Sequence, residues 1–322
     1  MIMEGTHRTY AQALTDPMSR VFNALGMLPF VLVGLVIFLG IMNPKFLTFS
    51  NGIIVTRQAC FLALVAFGQM LVILSKGVDV SLGAQIGLGS VLSAIVAREL
   101  GPFAGWVTPL FVGAGVGLLN GAVVAYAGID SFAVTLGSLS ISHGLALVIS
   151  KGLTIYDLPS GYRVLAYARI LSIPLPIIIS LIVAIMMYFI LYRLRFGRYV
   201  YAIGGNKEAL RLSGANVEGV LLWVFCGAGI LTGISSAMLS SRIFSGQPNL
   251  GGALMLESIA ACVVGGVTFV GGVGRFIGVV FGILFLAILS NGFDLIGISS
   301  FVKMVVIGSV IIVAVVIDKY KG

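Results

Sequence analysis

The stretch that decides the fold is SIPLPIIISLIVAIMMYFILYRLRFGRYVYAIGGNKEALRLSGANVEGVLLWVFCGAGILTGISSAMLSS, residues 172–241. Two long apolar runs, 172–192 and 220–241, flank a loop at 193–219 that carries Arg193, Arg195, Arg198, Lys207 and Arg211. A helix needs about 20 mostly apolar residues to cross a bilayer, and each run supplies that length. The pattern predicts two membrane-crossing helices with a basic loop held on the cytoplasmic side.

The rest of the chain repeats this alternation. Hydrophobic residues make up 59 % of the 322 and charged residues 9 %, against about 25 % charged in soluble domains. So few charges cannot cover a water-facing surface. Composition thus excludes a soluble enzyme, a disordered chain and a nucleic-acid-binding domain. The net charge of +8 reads as basic cytoplasmic loops, not as affinity for nucleic acid. Eight further apolar segments, 27–43, 55–75, 82–97, 104–126, 132–150, 254–270, 276–294 and 301–317, bring the expected total to ten spans. Segments 82–97 and 254–270 are flanked by glycine, which predicts broken or partial helices. The first run ends in Asn-Pro-Lys, not in a small-residue cleavage site, and reads as a retained span. The expected fold is an all-α integral membrane protein, one transmembrane domain over 1–322.

Charge placement sets the expected orientation. With the N-terminus inside, the cytoplasmic segments, from Arg8 and Arg20 to Lys319 and Lys321, hold eleven Lys and Arg against seven outside. Five of the eleven lie in 193–219. An even span count then leaves both termini in the cytoplasm. Cys60, Cys226 and Cys262 each lie in an apolar stretch and read as small buried hydrophobes.

Two stretches resemble one another. LLNGAVVAYAGIDSF (118–132) and LSNGFDLIGISSF (289–301) share Asn-Gly at 120 and 291, then Gly-Ile and Ser-Phe further on. Five spans separate them, so the copies face opposite ways: an inverted repeat of spans 2–5 against 7–10, of the kind that lets transporters alternate access. Glycines recur at helical spacing in Gly83 and Gly87, in Gly113, Gly117 and Gly121, and in Gly274, Gly278 and Gly282. Such stripes let helices approach closely in lipid. No GxxxxGK[ST] occurs, so the chain carries no nucleotide-binding P-loop.

The loop itself reads as a basic stretch, a Gly204–Gly205 break, and a short helix over Lys207–Leu212. Asn206 is placed to cap it and Gly214 to stop it. Glu208 near its start and Arg211 near its end suit the helix dipole. A helix this short needs a partner surface to persist; the plain alternative is an ordinary basic loop.

FGRYVYAIGGNKEALRLSGANV (196–217) resembles the cytoplasmic coupling loop of permease subunits of bacterial sugar-importing ABC transporters, the ribose, galactose, arabinose and xylose group. MLVILSKGVDVSLGAQIG (70–87), LESIAACVVGGVTFVGGVGRFIG (256–278) and LSNGFDLIGISSFVKMVVIGSVIIVAVVID (289–318) resemble three further segments of that family. The resemblance covers about residues 43–318 in order. It departs at Lys76, where a glycine is frequent, at Asp294, where Asn is common, and at Ile307, often Lys. It implies a bacterial inner-membrane subunit that works with a second permease chain, an ABC ATPase subunit and a periplasmic sugar-binding protein. It also implies that ATP and Mg are bound by the partner ATPase, with no cofactor in this chain. By position, Gly204, Gly205, Asn206, Glu208, Arg211 and Leu212 would form the ATPase-coupling helix. Ala209 and Leu212 would be its apolar contacts, and Glu208 and Arg211 would pair across the interface.

Candidates for the translocation path are the polar residues inside spans, Gln69, Gln85, Asn120, Ser138, Ser140 and Asn291. They could replace a sugar's hydration or serve interhelical hydrogen bonding instead. Intramembrane charges are costly and usually paired or functional. Asp79 reads as a cap for the third span, with a pathway role as the alternative. Glu257 reads as a similar N-terminal group for the eighth span. Asp294 and Lys303 are placed for a salt bridge that gates or staples. His143 reads as hydrogen-bonded packing. With His7 its only counterpart, no metal site is expected. Outer-loop Arg98, Arg163, Arg169 and Arg242 could steer an acidic binding protein. The competing readings are a nucleoside, polyol or furanose importer of the same build, and an ion-coupled secondary carrier. A membrane enzyme would need a nucleophile–base or metal-ligand set, and none is evident.

Overall fold

The structure, a computed structural model, describes residues 27–321; His7, Arg8 and Arg20 lie outside the described residues. Its helices are α1 (Leu28–Met42), α2 (Phe49–Leu74), α3 (Leu82–Leu100), α4 (Pro102–Tyr126), α5 (Ser131–Ser150), the single turn α6 (Val164–Tyr167), α7 (Leu175–Tyr192), α8 (Arg195–Leu212), α9 (Val217–Ile243), α10 (Gly252–Val264), α11 (Phe276–Leu295) and α12 (Ser300–Lys321). A two-residue antiparallel pair, β1 (Arg169–Ile170) and β2 (Ile173–Pro174), turns the chain into α7.

Each of the ten apolar segments contains a helix. Six of the helices, α2, α4, α5, α7, α9 and α11, are long and apolar enough to cross a membrane, with mean hydropathy from 1.7 to 2.6. Helices α1 and α10 and the Ser300–Val313 part of α12 are apolar but shorter. Segment 82–97, expected to be broken or partial, is an unbroken helix within α3, which is not one of those six. Segment 254–270 is helical only to Val264. Past that point Gly266, Gly271, Gly272 and Gly274 all take positive φ, a conformation that ends a helix and that glycine adopts freely. Gly274 therefore stands in this loop, not on a helical stripe with Gly278 and Gly282.

Helices α2 and α9 form the centre. Every residue of α2 from Ala59 to Leu74 is buried. The stripe Gly113, Gly117 and Gly121 on α4 lies directly on α9, with Gly113 and Gly229 facing each other so closely that a methyl on either would overlap the opposite backbone. Such close approach supplies dispersion contact where lipid removes any hydrophobic drive between helices. The outer helices show their apolar side chains to the surroundings: Phe38 of α1, Ile141 of α5, Ile182 of α7 and Phe301 of α12 are 57 %, 64 %, 61 % and 82 % exposed. In water such a coat would drive aggregation; against acyl chains it is the favoured exterior.

Two helices end inside the bundle. Residues 75–81 join α2 to α3, and residues 244–251 join α9 to α10. Each stretch leaves its helix through a non-glycine residue in the left-handed region, Lys76 at φ 65 and Phe244 at φ 54. They enter from opposite ends and meet, with Gly83 at the start of α3 against Gly251, and Gly87 against Pro248. The turns at 127–130 and 296–299 also correspond: Gly128 has φ 68 and Gly297 φ 78, and helices then begin at Ser131 and Ser300.

Candidate functional site

Irregular backbone at membrane depth must find its hydrogen bonds within the protein. For residues 77–81 the first turns of α5 supply them. Val78 N donates to Ser131 Oγ at 3.0 Å, Val80 N donates to Thr135 Oγ1 at 3.2 Å, and Thr135 Oγ1 donates to Val78 O at 3.2 Å. Asp130 holds α5 in place by accepting from Phe132 N at 2.9 Å. Asp79 is wholly buried. Its Oδ1 accepts from Ser81 N at 2.8 Å and Ser81 Oγ at 2.5 Å. The carboxylate thus holds the residue ahead of α3, not the first-turn amides that the cap reading assigned to it.

Ser81 is the hub of a buried polar network. Its Oγ accepts from Gln85 Nε2 at 2.8 Å and from Asn120 Nδ2 at 3.1 Å, and Ser138 Oγ donates to Asn120 Oδ1. Gln69 is wholly buried in α2, and neither of its amide atoms has a partner among the described residues. Asp79 Oδ2, Gln85 Oε1 and Thr232 Oγ1 are also buried without one. Leaving such a group unmet costs roughly 1–3 kcal/mol. The arrangement suits water or a hydroxyl-bearing solute, each of which donates and accepts. Ser140 stays apart, its exposed hydroxyl bonded back to Leu136 O at 3.3 Å.

The opposite end holds a second polar group. Asn291 and Asn51 exchange carboxamide hydrogen bonds of 2.9 and 3.0 Å. Asn43 Nδ2 donates to Leu295 O at 2.9 Å. Asp294 and Lys303 form an ion pair between α11 and α12, and Glu257 lies within electrostatic reach of Lys303. Glu257 stands in the second turn of α10, which begins at Gly252, and so is not the entering residue of that helix. His143 Nε2 hydrogen-bonds Asn249 Oδ1 at 2.8 Å. Among the described residues no group of three or more His, Cys, Asp and Glu side chains is placed to hold a metal.

The loop expected at 193–219 is largely helical. Helix α8 runs through Gly204 and Gly205 and breaks at Asn206, whose φ −155 and ψ 96 are non-helical. Asn206 Oδ1 then accepts from Ala209 N at 2.9 Å, capping a stub that ends at Leu212. Gly204 is not a break, because it is needed for contact: it is buried against Leu74 O and the backbone of Gly271 and Gly272, leaving no room for a Cβ. Gly272 N donates to Leu74 O at 2.9 Å. The end of α2, helix α8 and the 265–275 loop therefore meet backbone to backbone, five residues before Asp79. One face of the stub sits on the bundle through Leu210, which packs with Ile203, Ala125 and Val217. The other face is open: Leu212 is 87 % exposed, and Glu208 and Ala209 are exposed beside it. Arg211 pairs within the chain, at 2.8 Å from Glu208 and with Glu218. The Glu218 carboxylate, with Glu208, holds the Arg211 guanidinium still further above its ordinary value.

Sequence reasoning missed Ser81, Asn51, Thr135 and Glu218. Ser81 lay in a quoted motif, and a hydroxyl two residues after a buried acid is a local signal. Asn51 is 240 residues from Asn291, and nothing local announces that pairing.

Comparison with known proteins agrees with this architecture. A family described as branched-chain amino acid transport system / permease component matches residues 51–315. The ribose import permease protein of Bacillus subtilis is 37 % identical over 291 residues, 89 % of this chain and 90 % of that protein. The D-allose transport system permease protein of Escherichia coli is 33 % identical, covering 90 % of each. The galactose/methyl galactoside import permease protein of Haemophilus influenzae is 33 % identical, covering 93 % and 94 %. No solved structure matches. The chain belongs to this permease family: it is a multi-pass membrane protein and a transport component.

Proposed function

We propose that the chain is the membrane-spanning subunit of an ABC importer that carries a monosaccharide from a periplasmic binding protein into the cytoplasm. The observation that carries this reading is the stub at 207–212: self-capped, with an exposed apolar tip, and rooted through Gly204 on the end of α2. A motor subunit gripping that tip would move Leu74, and with it the residue 75–81 stretch that bears Asp79. The relatives named for ribose, allose and galactose support a sugar as cargo.

On this reading the single domain 1–322 crosses the bacterial inner membrane ten times with both termini in the cytoplasm. Residues 193–219 are the cytoplasmic coupling loop, and spans 2–5 and 7–10 are inverted repeats. A second permease chain, identical or paralogous, completes the pore. ATP and Mg belong to the ATPase. Gln69, Gln85, Asn120 and Ser138 border the path where the two non-helical stretches meet, and the Asp294–Lys303 pair closes the outer end. The test is sugar-stimulated ATP hydrolysis by the reconstituted complex. Glu208→Ala with Arg211→Ala lowers the stimulation while the subunits still assemble; unchanged stimulation counts against the coupling role.

An ion-coupled carrier is the second reading, favoured by one observation: Asp79 is a wholly buried acid with no cationic partner among the described residues, and acids at membrane depth mark ion paths. Uptake by proteoliposomes holding this chain alone, driven by a sodium or proton gradient, would select it. A nucleoside, polyol or furanose cargo is separated by competition against sugar uptake.

A further inference from the structure

Two apolar grooves run along opposite sides of the last turns of α7. The larger, of about 500 Å³, is lined by Ala184, Ile185, Tyr188 and Tyr192 of α7 with Phe276 and Ile277 of α11. The smaller, of about 310 Å³, lies between Met186 and Ile190 of α7, Phe196 of α8, and Trp223 and Ile230 of α9. Tyr188, Tyr192 and Trp223 are all more than two-fifths exposed. Aromatic rings so placed mark the level of lipid headgroups.

Arg193, Arg195 and Arg198 stand at that same level, alternating with groove residues Tyr192, Leu194 and Phe196. All three are exposed. None takes part in the three ion pairs among the described residues, and the first turn of α8 contains no acid. The start of α8 is folded tightly back on α7, since Gly197 packs against the carbonyl oxygens of Ile190 and Leu191. Three uncompensated positive charges thus border two apolar channels at one elbow. A second copy of a chain carrying +8 would set like charge against like, and a zwitterionic lipid would bring its own headgroup cation among the three arginines.

We propose that the α7–α8 elbow binds an anionic phospholipid, with its acyl chains in the two grooves and its phosphate among Arg193, Arg195 and Arg198. Bidentate guanidinium–phosphate bonds fix the headgroup, and the grooves replace contacts that loose lipid would otherwise make with itself.

The test uses the full-length chain in mild detergent. Phosphatidylglycerol, cardiolipin, phosphatidylcholine or inorganic phosphate is added, and lipid retention is read by native mass spectrometry beside the melting temperature. The anionic lipids are retained and raise the melting temperature; phosphatidylcholine and phosphate do neither. Arg193→Gln with Arg195→Gln and Arg198→Gln loses about a hundredfold in anionic preference, since each arginine near an anionic surface contributes roughly fivefold. Should that triple variant not purify, Arg198→Gln alone loses about fivefold. Ile277→Trp fills the larger groove and weakens retention with all three arginines present. Equal retention of phosphatidylcholine overturns the site, as does anionic preference that survives the arginine changes. A melting shift reproduced by inorganic phosphate would show an anion site without a lipid.

Discussion

The two stretches that end helices inside the bundle follow similar paths with different chemistry. At 75–81 the chain is held by hydroxyls of α5 and by a buried carboxylate whose partners reach Gln85 and Asn120. At 244–251 the same need is met without charge. Ser90 Oγ donates to Gln247 O at 2.8 Å and accepts from Gln247 N at 3.1 Å, Gly246 and Ile155 pair their backbones at 2.9 Å, and Asn249 bonds His143. Both satisfy the rule that backbone in lipid must be paired. Only the first carries a buried ionisable group, Asp79, and only the first borders the junction of α2 with α8. The difference separates what the architecture demands, paired backbone, from what is added in one stretch, a buried carboxyl close to the junction of α2 with α8.

The largest effect is expected where the two stretches touch. Gly87→Val drives a branched side chain into the Pro248 carbonyl and costs more than about 3 kcal/mol, beyond ordinary overpacking; the yield of monodisperse protein and its melting temperature check this. Next comes the contrast between the halves. Asp79→Ala leaves the Ser81 amide and hydroxyl without their acceptor and costs about 3 kcal/mol, while Ser90→Ala leaves the Gln247 amide unmet and costs about 1.5 kcal/mol. Equal losses would erase the asymmetry argued above.

Much of this was legible in the sequence because apolar length is itself the membrane signal, and all ten segments hold helices. The Asn206 cap was legible too, since a cap is read over three residues. Gly204–Gly205 misplaced the break: the helix runs through both glycines and breaks at Asn206, because Gly204 answers to Leu74 and Gly272, which are remote in sequence. The Ser81 hub, the Asn51–Asn291 pair and the capture of Arg211 by Glu218 depend on which helices become neighbours, and local pattern does not encode that. The 265–275 loop was hidden for another reason: its valines and phenylalanine kept the run apolar while its glycines ended the helix.

Those adjacent glycines offer the third test. A methyl at Gly204 would overlap the Leu74 carbonyl, whereas one at Gly205 meets open space. Gly204→Ala is expected to leave basal ATP hydrolysis in the assembled complex but to cut sugar stimulation by roughly 2- to 30-fold, the range for residues that carry coupling. Gly205→Ala keeps stimulation and adds up to about 1 kcal/mol of helix stability. If both behave alike, the junction is not the route by which α8 reaches residues 75–81.

The smallest effect tests the two left-handed residues, and its sign should differ between the halves. Lys76 is exposed and holds φ 65, a backbone conformation that suits glycine. A non-glycine residue there costs roughly 1–2 kcal/mol, so Lys76→Gly should raise stability by about 1 kcal/mol. Phe244 holds φ 54, but its ring sits 4.1 Å from the Arg163 guanidinium and packs on the cluster of Ala94, Ala97 and Tyr162. Phe244→Gly relieves the same backbone strain yet forfeits a half-buried aromatic, about 2 kcal/mol or more. Its net change should be a loss, read as opposite shifts in melting temperature for the two variants. Two gains would mean that the Phe244 ring contributes little, and two losses that the Lys76 side chain holds the junction at Gly271, which its Cβ approaches.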